Sequence, residues 1–312
     1  METRKSNLFF LVIIILLILS AIFLPSLFKL IKIPQYLWTT YIEFGVLFIP
    51  SIIYIVISKK SIKETLRLNP IGIKSVLMII VIGIVAQPLM MFLGTLSQLF
   101  FRNYVTDALK QLNSLGYFTM IAMIAITPAI CEETVMRGVV LSGYRKVDIR
   151  KAALMNGLLF GLFHLGPQQF LYAFALGAVF VYLVEITNSI FASMLCHFVI
   201  NGLQTTLSWV ALKFVTQPTE KTTQLANMPI NSIITTLIAL LIGAAIFTPL
   251  LVLVVKELDI ENGGRLKKRK IAIASYRSEF IEDKVMNLPI YITIALYFGF
   301  LILAQILSKS RI

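Results

Sequence analysis

Long apolar runs separated by short polar turns recur from one end of the chain to the other. They fall near residues 8–30, 41–57, 76–101, 117–144, 169–184, 190–215, 230–255 and 289–306, with a shorter one at 152–165. A helix needs about 20 apolar residues to cross a bilayer. Within lipid a helix also pairs every backbone polar group internally. The pattern therefore predicts an all-α polytopic membrane helical bundle of about eight or nine spans. The run at 8–30 exceeds a signal-peptide core and has no small-residue cleavage site, so it reads as the first span. Pro88 is expected to kink the third span, and Gly166-Pro167 to break the short segment. Gly157 and Gly161, four apart, are expected to let that segment approach a neighbouring helix closely. Residues 102–116 read as a polar surface helix, and 216–229 as a polar loop.

Composition agrees and adds a direction. The chain is 58% hydrophobic and only 14% charged, against about 25% charged in soluble domains. With no polar segment long enough to fold separately, residues 1–312 form a single membrane domain. The formal net charge of +13 does not point to nucleic acid, because the basic residues gather in turns. Lys59, Lys60, Lys63, Arg67 and Lys74 form one group, and Arg145, Lys146, Arg150 and Lys151 a second. Arg265, Lys267, Lys268, Arg269 and Lys270 form a third, within a basic cytoplasmic loop at 257–287 that suits solvent or lipid headgroups. Alternation of spans puts these turns and the N-terminus on one side. The positive-inside rule makes that side cytoplasmic in a cell-membrane protein. Nine spans then leave the C-terminus on the other side. Cys131 and Cys196 both lie in apolar segments, which excludes a disulfide framework. They read as small hydrophobes, with a thiol nucleophile the lesser alternative. Glu43 is expected near the end of the second span, within reach of water.

Charge inside an apolar run is the exception that carries chemistry. Glu132, Glu133 and Arg137 sit within the fourth span, where ionisable residues are costly and mark functional sites by default. Glu133 and Arg137 are four apart and share a helix face. Glu132 points about 100° away. Glu133 and Arg137 are therefore expected to pair as a scaffold, leaving Glu132 for chemistry, with a purely structural ion network as the alternative. A nearby guanidinium also favours the charged carboxylate that a general base requires.

The chain has two histidines, His164 and His197, and both fall in apolar segments. Phe160 precedes His164 by four positions and Asn201 follows His197 by four, so each pair shares a face. Depth along the helices gives a check. Glu132 lies roughly 18 Å from the basic end at Tyr144, His164 roughly 20 Å from Lys151, and His197 roughly 12 Å from Ser189. These distances run from the same side, so three segments place polar residues at overlapping depths. One polar pocket in the bilayer is the economical explanation, and a carboxylate with two imidazoles suits general-base catalysis or metal ligation.

The ordered set Glu132-Glu133-x-x-x-Arg137, Phe160-x-x-x-His164 and His197-x-x-x-Asn201 resembles the three-motif pattern of the CAAX protease and bacteriocin-processing (CPBP, or Abi) family. That family includes type II CAAX prenyl endopeptidases and bacteriocin self-immunity proteins. The resemblance covers residues 117–203, including Gly177 and Glu185-Ile186-Thr187-Asn188-Ser189-Ile190 between the motifs. It implies an intramembrane endopeptidase with a cavity open to the cytoplasm, acting on a membrane-associated peptide or protein. Carried over, Glu132 and His164 hold and activate a water, and His197 and Asn201 stabilise the oxyanion. Glu133, Arg137 and Phe160 complete the motifs. The family is commonly called metalloprotease, although a metal-free glutamate mechanism has also been proposed. Zinc on Glu132, His164 and His197 is one option, and metal-free water activation the other. Asn201 is a poor zinc ligand, which favours the latter. The rival readings are a transporter with a buried charge relay and a catalytically idle immunity protein of the same fold.

Overall fold

The computed structural model describes residues 2–101, 115–214, 228–277 and 284–309. Most of the expected surface helix at 102–116, most of the loop at 216–229 and part of the basic loop at 257–287 lie outside the described residues. Every regular element among the described residues is helical. Eight helices are long and apolar enough to cross a membrane. They are α1 (Glu2–Leu30), α2 (Gln35–Ile57), α4 (Ile73–Gln98), α5 (Tyr117–Val140), α7 (Pro167–Thr187), α8 (Ile190–Phe214), α9 (Ile230–Glu261) and α11 (Leu288–Lys309). Three shorter helices complete the set: α3 (Ile62–Leu66), α6 (Ile149–Phe163) and α10 (Arg265–Arg277).

The short segment expected at 152–165 is α6, and its 15 residues give about 22 Å of rise. That is less than the roughly 30 Å hydrocarbon core. Its C-terminal end at Phe163 therefore stops inside the bundle, and α7 returns antiparallel beside it. Glycines set that approach. A Cβ on Gly157 would lie 2.6 Å from the Phe174 carbonyl, and one on Gly177 would lie 2.7 Å from the Gly157 Cα. The expected kink in α4 falls at Ala86, between the helical stretches Ile73–Val85 and Gln87–Gln98. Pro88 starts the second stretch without an N–H to give to the first.

The basic turns meet at one end of the bundle. Lys60 pairs with Glu2 at 2.9 Å, and Arg145 donates to the Thr65 carbonyl at 3.3 Å. Asn7 donates to the Val285 carbonyl at 3.1 Å and accepts from the Tyr144 hydroxyl at 2.5 Å. Burial pushes the Tyr144 phenol well above its ordinary range, so it remains a neutral donor. Glu185 anchors this end. It takes Arg67 at 2.8 Å and Arg269, on α10, at 2.5 Å. Arg269 also donates to the carbonyls of Tyr144 and Val147, each at 2.9 Å. The turns thus lie together, as alternation of spans requires.

The centre of the bundle is the part carrying the motifs. Most of α5 is buried, whereas α9 is largely exposed along Ile234, Ile238, Ile242 and Ile246. Outer helices present such side chains to lipid, and inner ones pack against each other.

Candidate functional site

The helix bearing the first motif is not a uniform α-helix. Thr127–Glu133 is α-helical, but Ala122–Ile126 before it and Thr134–Val140 after it are π-helical. A third π stretch, Glu43–Phe48 in α2, packs against Thr127–Glu133. π turns shift the i to i+4 bonding by one residue and occur frequently at functional sites. The wider turns leave backbone carbonyls open to outside donors. Asn201 of α8 donates to the Ile124 carbonyl at 3.1 Å, and Asn156 of α6 to the Met136 carbonyl at 3.1 Å. The altered winding thereby ties α5 to both histidine-bearing regions.

Glu133 and Arg137 pair as their spacing predicts, at 3.0 Å with both side chains fully buried. The guanidinium also donates to the Gly177 carbonyl at 3.2 Å. Its flat faces are covered by Phe160 at 4.4 Å and Phe180 at 4.9 Å from the ring centroids. Arginine suits this place because it combines a planar hydrogen-bonding fork with cation–π stacking. The absence of a side chain at Gly177 lets α7 come near enough to offer its carbonyl.

The same Glu133 oxygen accepts from His197 Nδ1 at 2.9 Å. A carboxylate held by arginine has no proton to give, so Nδ1 carries the hydrogen. His197 Nε2 then faces Glu132, 4.0 Å from its Oε2, which is beyond direct hydrogen-bond length. That Glu132 oxygen is buried and has no hydrogen-bond partner. His164 Nδ1 lies 2.8 Å from the Phe160 carbonyl. A carbonyl only accepts, so this nitrogen is again the donor, and in the neutral ring Nε2 is the base. The rings assemble around Phe160, whose centroid is 4.9 Å from that of His164 and 6.0 Å from that of His197. Tyr172 completes the wall at 6.5 Å from the His164 ring. Its hydroxyl donates to Gln169 at 2.7 Å.

The structure thus brings Glu132, Glu133, Arg137, Phe160, His164 and His197 into one buried region, with Asn201 one turn along α8 from His197. Sequence reasoning missed two partners. Asn156 is fully buried, but nothing in its own segment singles it out. Glu43 was expected near water, yet it is 6% exposed and sits against the first-motif helix. The π stretch beginning at Glu43 turns its side chain inward, and its position inside an apolar run was the available signal.

Among the described residues no three His, Cys, Asp or Glu side chains lie close enough together to ligate one ion. Among the described residues Glu132, His164 and His197 do not come together as a three-ligand set. The two cysteines are free and buried. Comparisons with curated proteins and with solved structures found no match. Residues 114–203, which carry every motif position, match the family model described as Type II CAAX prenyl endopeptidase Rce1-like, and this stretch of the chain is similar to that membrane peptidase family.

Proposed function

We propose that the protein is an intramembrane endopeptidase that hydrolyses a peptide bond of a membrane-associated peptide or protein. The observation that carries this reading is the double use of Glu133. Its Oε1 binds Arg137 and His197 Nδ1 together, so that His197 Nε2 is directed at Glu132 Oε2, which has no hydrogen-bond partner. The match of residues 114–203 to a CAAX prenyl endopeptidase family supports the same activity.

In this mechanism a water donates one hydrogen to Glu132 and the other to His164 Nε2, which leaves an oxygen lone pair for the peptide carbonyl. Glu132 takes the proton as the new C–O bond forms. The carbonyl oxygen becomes an oxyanion and receives two donors. One is the second amide hydrogen of Asn201, whose first is held by Ile124. The other is His197, which in this mechanism carries a proton on Nε2 throughout the cycle, neither gaining nor losing it, while Nδ1–H stays on the Glu133 carboxylate. Such donors contribute about 3–4 kcal/mol each in low-dielectric sites. Collapse breaks the C–N bond, and the proton held on Glu132 passes to the departing amine. The resemblance to the endopeptidase family implies a site open to the cytoplasm, the side to which the positive-inside rule assigns the basic turns and the N-terminus.

A cleavage assay tests the proposal with purified protein in nanodiscs and a membrane-tethered peptide. Glu132→Ala and His164→Ala are expected to abolish cleavage, and Asn201→Ala to lower kcat about 100-fold. Wild-type rates in Glu132→Ala would end the proposal.

A further inference from the structure

Glu43 is a buried carboxylate that none of the motifs includes. Its Oε2 has no hydrogen-bond partner, and neither does Oε2 of Glu132. The two residues are 6% and 8% exposed. They sit on contacting segments, Glu43–Phe48 and Thr127–Glu133. Buried polar groups are almost always paired. Glu133 Oε2 is also without a hydrogen bond, but its carboxylate is held by Arg137 and His197 through Oε1, whereas Glu43 and Glu132 have no such cationic hydrogen-bond partner among the described residues. Among the described residues, Glu132 and Cys131 of α5 interact electrostatically with Glu43, and Glu132 in turn interacts with His197, Glu133 and Arg137. Arg137 and His197 are already engaged with Glu133. Neighbouring buried carboxylates cannot both ionise at low cost, and sharing a proton relieves them.

We infer that Glu43 is the proton partner of Glu132, and that the two carboxyl groups carry one proton between them in the resting site. This rests on the endopeptidase reading above. During attack Glu132 takes a second proton, the one leaving the water, as the C–O bond forms. The pair then holds two protons while the oxyanion stands. When the C–N bond breaks, one proton passes to the amine nitrogen, and the pair returns to its resting state. Glu43 therefore acts through Glu132 as a positioning and proton-holding residue.

The test uses the full chain in nanodiscs with a membrane-tethered peptide. Glu43→Gln keeps size and hydrogen-bonding ability but cannot exchange a carboxyl proton. Glu43→Met keeps the volume and removes all polarity, so it folds even if an amide is poorly accommodated. Glu43→Asp restores the carboxyl group. Both neutral variants are expected to lose about tenfold or more in kcat, the scale of one proton-transfer or charge contact in a protein interior. Their KM and melting temperature stay at the wild-type values, the solvent deuterium effect on kcat changes, and Glu43→Asp recovers part of the rate. Wild-type kcat in either neutral variant overturns the inference, as does a loss that Glu43→Asp shares in full. If wild-type protein does not cleave, or Glu132→Ala cleaves as well as wild type, the endopeptidase reading itself has failed. Cleavage that depends on Glu132 but is indifferent to Glu43 removes this inference alone.

Discussion

Glu133 serves two partners at once, and removing either charge of its pair exposes what the pair does. Arg137→Met leaves the Glu133 carboxylate buried without its guanidinium partner. Breaking a buried ion pair in this way costs about 3–5 kcal/mol. Reversible unfolding in detergent should show that loss. The double variant Glu133→Gln with Arg137→Met should recover part of the stability, because it removes both charges, while cleavage stays lost. Additive losses would mean that the two residues act separately. Glu132, by contrast, should be replaceable with little effect on unfolding, since its Oε2 makes no hydrogen bond. At the same scale, water activation by Glu132 and His164 alone predicts that chelation leaves the rate unchanged, whereas zinc on Glu132, His164 and His197 would make it metal-dependent. Metal analysis of the purified protein, paired with activity under chelation, checks this.

At the scale of elements, the π stretches and the α6–α7 hairpin place the chemistry. The hairpin depends on Gly157 and Gly177 meeting without side chains, and the Gly177 carbonyl also receives Arg137. Gly177→Val should separate the two helices, lower stability by about 1–3 kcal/mol through overpacking, and reduce kcat by displacing Phe160. A lower melting temperature together with a lower rate is the expected result. Gly157 and Gly161 announced this contact through their spacing. The π stretches were not legible in the same way. Widening a helical turn costs backbone geometry and is repaid by contacts from other helices, such as Asn201 on Ile124 and Asn156 on Met136. Local sequence does not encode those distant donors. Glu43 was misplaced for the same reason: the turn that brings it inward is stabilised by α5, not by its own neighbours.

For the whole molecule, Glu185 fastens the basic turn at Arg67 and the helix α10 at Arg269 to the end of α7. Arg269→Gln should free α10, at a cost of about 1.5–3 kcal/mol for its charged hydrogen bonds. Faster tryptic cutting at Lys267, Lys268 and Lys270 with an intact bundle is the expected readout. Sidedness is testable with Lys63→Cys and Lys268→Cys, both exposed positions at the basic end. Each should react with an impermeant maleimide only from the cytoplasmic face, against a low background because Cys131 and Cys196 are buried. Labelling from outside would reverse the orientation.

Hydrophobic length and the placement of lysine and arginine, read along the chain alone, were enough for the helical class, the span pattern and the common end of the basic turns. These depend on lipid as a solvent, which acts on each segment independently. Four-residue spacing likewise showed which motif residues share a face, because that is a property of one helix. The meeting of those faces around Phe160, the sharing of Glu133 between Arg137 and His197, and the inward turn of Glu43 arise only from packing. They are contacts between segments far apart in the chain, and their energy exists only once the helices touch.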